Sequence, residues 1–94
     1  MALAHRMLEV VAAIPPGKVA TYGDVAARAG SPSPRLAGRV LAELSDSDTP
    51  WHRVLRASGR PVEHLAAEQL ARLRAEGVLA DNGRVNLRRY RWAD

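Results

Sequence analysis

Ninety-four residues with a formal net charge of +4, 47% hydrophobic side chains and no cysteine describe a small folding chain with a modest core. That balance excludes a disordered tail, a disulfide scaffold, a thiolate metal site and any reaction that needs a thiol nucleophile. No apolar run approaches membrane-span length, the first residues are amphipathic and unlike a secretory leader, and no linker interrupts the chain, so one cytoplasmic domain over residues 1–94 is expected.

Leu3, Met7, Val11 and Ile14 recur every three or four residues and predict a first helix, stopped by Pro15-Pro16-Gly17. Lys18-Val19-Ala20 follows as a short extended link. Thr21 can cap a second helix over residues 22–29, with Asp24 at the capping-box position and Val25, Ala26 and Ala29 facing inward. Gly30-Ser31-Pro32-Ser33-Pro34 is a turn, in which Ser33 suits the N-cap of a third helix and Pro34 its first position. Leu36, Val40, Leu41 and Leu44 give that helix an apolar face, while Arg35 and Arg39, four apart, share one side. Residues 45–50 read as a polar loop, and Val54-Leu55 as a short strand ended by Ser58-Gly59. Ala66, Leu70 and Leu73 mark a fourth helix closed by Gly77, with Glu68 and Arg72 paired on its exposed face. Asp81-Asn82-Gly83 turns a small hairpin between residues 78–80 and 84–87. The tail Arg88-Arg89-Tyr90-Arg91-Trp92 is read as a strand or as a basic arm with two aromatic anchors.

The fold class that follows is mainly α with a small β hairpin: a winged helix-turn-helix of the DNA-binding kind, the basic third helix being the recognition element and the hairpin the wing. Thirteen of the fourteen basic residues are arginine, Lys18 being the exception. A planar guanidinium fork suits phosphates and base edges; a GC-rich genome also favours arginine codons, but does not account for the net positive charge. Nucleic acid is the partner class that the charge indicates. His5, His52 and His64 lack metal-ligand spacing, and neither a metal nor a cofactor is expected.

Two segments make the reading specific. Ile14-Pro15-Pro16-Gly17-Lys18-Val19-Ala20-Thr21-Tyr22-Gly23-Asp24-Val25-Ala26 and Pro50-Trp51-His52-Arg53-Val54, in this order, resemble the DNA-binding domain of the O6-alkylguanine-DNA alkyltransferases. There the second segment carries a reactive cysteine where this chain has Trp51. The resemblance runs from Leu3 to about Trp92 and is to the non-enzymatic, alkyltransferase-like branch. It implies minor-groove binding by the recognition helix, flipping of an alkylated guanine into a pocket, no catalysis, and presentation of the lesion to nucleotide excision repair. The implied partners are double-stranded DNA with alkylated guanine and excision-repair proteins, with the protein a monomer and no membrane involved.

The resemblance also assigns roles. Arg35 matches an arginine finger that fills the hole left by a flipped base, and Gly38, one turn on, lets the helix approach DNA closely; an exposed arginine near phosphate is the plainer reading of Arg35. Tyr22 matches a tyrosine that helps turn the target phosphate, against a plain half-buried tyrosine. Thr21, Ser33 and Arg39 complete the expected DNA-binding set. The lesion pocket is expected around Tyr22, Pro50, Trp51, Arg53, Ser58, Gly59 and Arg60, with Trp51 packing on the alkylated purine or plugging the former reactive site. His52 and Glu76 match the pair that activates the thiol in the enzymes and are expected here as a buried structural network, with Arg53 bracing the loop.

The chain also departs from the family pattern. The turn before Arg35 is one residue short, the asparagine that braces the active-site loop is missing from residues 43–49, and residues 59–68 are abbreviated. A pocket arginine of some relatives therefore has Arg60, Glu63 or His64 as its nearby candidates. Two other readings stay open. A winged-helix transcription regulator would read the major groove through Ser33, Arg35 and Arg39. A hydrolytic enzyme would use His52, Glu76 and a water, but no oxyanion site, metal cluster or spaced nucleophile accompanies them.

Overall fold

The computed structural model describes residues 2–93. Helix α1 (Ala2–Ala13) buries Met7 and Val11 and ends just before the proline pair. Strand β1 (Ala20–Thr21) leads directly into α2 (Tyr22–Arg28). The expected capping box is present: the Asp24 N–H donates to Thr21 Oγ1 at 3.0 Å and the Thr21 N–H donates to Asp24 Oδ2 at 3.1 Å. Helix α3 (Pro34–Leu44) opens with proline at its first position, and the Leu36 N–H donates to Ser33 Oγ at 3.0 Å.

A single 3-10 turn (Trp51–Arg53) precedes β2 (Val54–Leu55), and a second (Glu63–Leu65) precedes α4 (Ala66–Ala75). The hairpin is β3 (Ala80–Asp81) against β4 (Arg84–Val85), joined by Asn82 and Gly83 at φ 54° and 75°. Two consecutive positive φ values are what a two-residue type I′ turn demands, which is why Asn-Gly stands there. The fold is thus a winged helix-turn-helix, with α2 and α3 as the helical pair and β3–β4 as the wing.

Strand β1 pairs parallel with β2 in the register Ala20↔Val54 and Thr21↔Leu55. This pairing divides the interior. Side chains alternate across a strand, so Ala20 and Val54 join a core of Met7, Val11, Ile14, Val25, Ala26, Ala29, Ala37, Val40 and Leu41, while Val19 and Leu55 join Leu73, Val78 and Val85 on the other side.

Three expectations need correction. Leu44 is 50% exposed, because the inner face of α3 runs through Ala37, Val40 and Leu41 and the helix ends at Leu44. The tail is neither a free arm nor a plain strand: Asn86 caps a short helix α5 (Leu87–Tyr90), and Arg91 then bridges Val19 in parallel. Lys18-Val19-Ala20 is more than a link, since both polar groups of Val19 bond to the tail, its N–H donating to Tyr90 O at 2.9 Å and its carbonyl accepting from Trp92 N–H at 2.7 Å.

Candidate nucleic-acid interface

Thr21, Tyr22 and Gly23 at the start of α2, Pro34, Arg35, Gly38, Leu41 and Ala42 along α3, and Trp51 on the first 3-10 turn line one open cleft of about 990 Å³. Arg56, Ala57, Val62, His64 and Leu65 also line it. Its walls are mostly apolar, and among the described residues no aspartate or glutamate lines it. Arg35 and Arg56 are exposed there and have no hydrogen-bond or ion-pair partner among the described residues.

Trp51 is half-buried. It packs against the α1–α3 core from below and faces the cleft from above. The Arg72 guanidinium lies 5.5 Å from its ring centroid and is itself held by Glu68 at 2.8 Å, so the helix pair foreseen on α4 also braces the indole. Tyr22 is half-buried too. Burial pushes its phenol up from the ordinary value, while the Arg56 charge pulls the other way. At Gly38, a Cβ would meet the Tyr22 ring at 3.9 Å, an ordinary contact. Packing within the protein therefore does not require glycine at this helical position, where it costs about 0.5–1 kcal/mol relative to alanine.

Behind the first 3-10 turn the environment reverses. The Glu76 carboxylate accepts from His52 Nε2 at 2.8 Å, from Arg53 Nη2 at 2.7 Å and from Arg53 Nε at 3.0 Å. Arg53 Nη1 donates to the Ile14 carbonyl at 2.8 Å, tying the end of α1 to the same cluster. These bonds, chiefly those from Arg53, hold Glu76 down to about 2. Gln69, only 1% exposed, donates its amide to the carbonyls of His52 and Val54 at 3.0 and 2.7 Å. His52 Nδ1 is buried with no partner among the described residues.

The structure thus gathers some of the expected site residues and disperses others. Thr21, Tyr22, Arg35, Gly38 and Trp51 share the cleft; Arg39 is exposed on α3 outside its lining, and Ser33 is spent on capping. Pro50 heads the turn that carries Trp51 but does not line the cleft. Arg53 points away from it, drawn to Glu76. Ser58, Gly59 and Arg60 serve the wing. Ser58 O accepts from Arg84 Nε at 2.8 Å, Gly59 O accepts from the Val85 N–H at 2.9 Å, and Arg60 Nη1 donates to Asn82 O at 3.2 Å. Gly59 has φ +86°, and a Cβ there would overlap the Val85 carbonyl oxygen, so the glycine answers to the docked hairpin. His52 and Glu76 form the expected network, away from the cleft lining. Of the candidates for a pocket arginine's place, His64 lines the cleft, and Arg60 and Glu63 do not.

Two residues escaped the sequence reading. Gln69 lies one turn before Leu73 and so shares its inward face, a signal masked by its polarity. Arg56 follows β2, and only the strand pairing puts it beside Tyr22.

The family model for the DNA-binding domain of 6-O-methylguanine DNA methyltransferase matches residues 2–78. The DNA base-flipping protein of Escherichia coli is 47% identical over 95 residues, which cover 94% of this chain and 72% of that protein. Alkyltransferase-like protein 1 of Schizosaccharomyces pombe is 34% identical over 98 residues, covering 93% of this chain and 91% of that one. The crystal structure of S. pombe Atl1 in complex with damaged DNA containing O6-carboxymethylguanine superposes with a TM-score of 0.86 at 31% identity, over 98% of this chain and 95% of that one.

Proposed function

This chain belongs to the family of the 6-O-methylguanine DNA methyltransferase DNA-binding domain, and from that premise we propose that it recognises O6-alkylguanine in double-stranded DNA without removing the alkyl group. One observation carries the reading: a single cleft joins the recognition-helix residues Arg35 and Gly38 to Trp51, at the slot where the enzymes hold their cysteine.

In this reading α3 enters the minor groove and the damaged nucleotide turns out into the cleft. Extrusion costs a few kcal/mol. Arg35 offsets part of that by filling the vacated place in the stack. The apolar walls contributed by Leu41, Trp51, Val62 and Leu65 offset more by covering the purine and its alkyl group. Tyr22, beside Gly38, helps turn the target phosphate. The chain holds no thiol to accept the alkyl group. Glu76 is bonded by both His52 and Arg53, so His52 and Glu76 act as a brace under Trp51 and not as an acid–base pair. The protein works as a monomer. Family membership supports a further step, presentation of the lesion to nucleotide excision repair. Capture of excision-repair proteins on lesion DNA only when this protein is present checks that step, and a capture that never yields one removes it.

The direct test is binding to two duplexes that differ by one O6-methylguanine, at two salt concentrations, followed by tryptophan fluorescence with Trp51→Ala as the control for Trp92. A lesion preference that survives high salt, with a signal lost in Trp51→Ala, is the expected result. Equal and salt-labile binding to both duplexes would leave only a basic winged helix.

A further inference from the structure

We propose that Arg56 and Tyr22 form an anion subsite at the edge of the cleft, which takes a negatively charged oxygen of the bound nucleic acid and makes Arg56 a specificity-determining residue. The proposal rests on the reading of the chain as an O6-alkylguanine sensor and gives it a cation that the reading does not use.

The strand pairing creates the juxtaposition. Strands β1 and β2 run parallel with Thr21 opposite Leu55, so the next residues, Tyr22 and Arg56, leave the sheet side by side at the same end. Both line the cleft. The backbone of Arg56 is held at both its polar groups: its N–H donates to Arg60 O at 3.0 Å and its carbonyl accepts from the Gly59 N–H at 2.8 Å. Its side chain, by contrast, is exposed and has no partner among the described residues. Asp24, two residues after Tyr22, is held by Arg91 at 2.6 Å, and Glu76 by Arg53 and His52. The Arg56 charge is felt at the Tyr22 phenol, where it opposes the effect of burial.

An uncompensated guanidinium beside a phenol O–H offers an oxyanion several donors and one full positive charge. Such an oxygen has two sources in damaged DNA. One is a backbone phosphate next to the flipped nucleotide; the other is the carboxylate of an acid-bearing adduct such as O6-carboxymethylguanine.

The test compares the full chain with Arg56→Gln and Arg56→Lys on duplexes holding guanine, O6-methylguanine or O6-carboxymethylguanine, across a salt series. Because Arg56 is exposed and unpaired, both variants should keep the wild-type thermal midpoint. Arg56→Gln is expected to weaken lesion binding on the order of tenfold, and Arg56→Lys to restore part of the loss. A deficit shared by both lesions, with a log–log salt slope shallower by about one, identifies phosphate. A deficit confined to O6-carboxymethylguanine identifies the adduct carboxylate. Unchanged affinity and slope for Arg56→Gln on both lesion duplexes overturns the subsite. Failure of the underlying reading is separately visible, because the wild-type chain would then bind guanine and lesion duplexes alike.

Discussion

Trp51 and its neighbours His52 and Arg53 belong to one three-residue turn, yet they meet opposite surroundings. Trp51 opens onto a cleft whose arginines have no partners among the described residues, whereas His52 and Arg53 turn inward to a carboxylate that they share. A buried charge is tolerable only when paired and hydrogen-bonded, so the inner side is built to stay as it is. An apolar concavity with unpaired cations on its rim has its partners still to come, and that is the signature of a binding surface. The contrast separates residues that hold the fold from those available to a ligand, and it does so within three consecutive residues.

The sharpest way to break this comparison is to remove the inner carboxylate. Glu76→Ala strands the Arg53 guanidinium, with its side chain only 14% exposed, and is expected to cost about 3 kcal/mol of folding stability, read by chemical denaturation. At temperatures where both proteins are folded, the preference for lesion DNA should persist. If the preference disappears instead, the two sides of the turn are one functional unit.

The same carboxylate predicts an acid limb. Its folded value of about 2 lies below its ordinary 4.5, so its stabilisation is complete above about 4.5 and is lost as pH falls toward 2. The wild-type protein should lose stability across that window more steeply than Glu76→Gln, and parallel acid titrations of the two would contradict the assignment.

On the cleft side, Arg35→Ala should weaken lesion binding on the order of 30-fold, about 2 kcal/mol. Arg39→Ala, outside the cleft, should lose only several-fold, as expected for a phosphate contact. Equal losses would reduce Arg35 to the same kind of contact. The smallest effect sharpens the comparison from both directions. Gly38→Ala should stabilise the free protein by up to about 1 kcal/mol, since its methyl meets only ordinary contact, yet weaken DNA binding. Binding as tight as wild type would show that DNA does not approach α3 at Gly38.

Much of the helical architecture was legible because its signals are local. The Thr21–Asp24 box, Ser33-Pro34 at the head of α3 and Asn82-Gly83 in the hairpin each act within a few residues of themselves. Leu44 misled because periodicity does not say where a helix leaves the core. The contacts of Ser58, Gly59 and Arg60 with the wing were not legible for a related reason: their neighbours, Arg84, Val85 and Asn82, lie far along the chain. The tail was ambiguous because its helical turn and its bridge to Val19 depend on a strand edge that no nearby residue announces.

By itself, then, the sequence determined the first four helices, the caps of α2 and α3, the absence of an acceptor thiol and the family, because each is written in adjacent residues or in composition. Tertiary structure alone decided which arginines are spent and which are free. It turned Arg53 onto Glu76, gave Ser58 to Arg84, and set Arg56 beside Tyr22 through two short parallel strands. The physical reason is that a guanidinium reaches several ångströms and takes whichever carboxylate or carbonyl folding brings near it, and that choice is made only once distant segments have met.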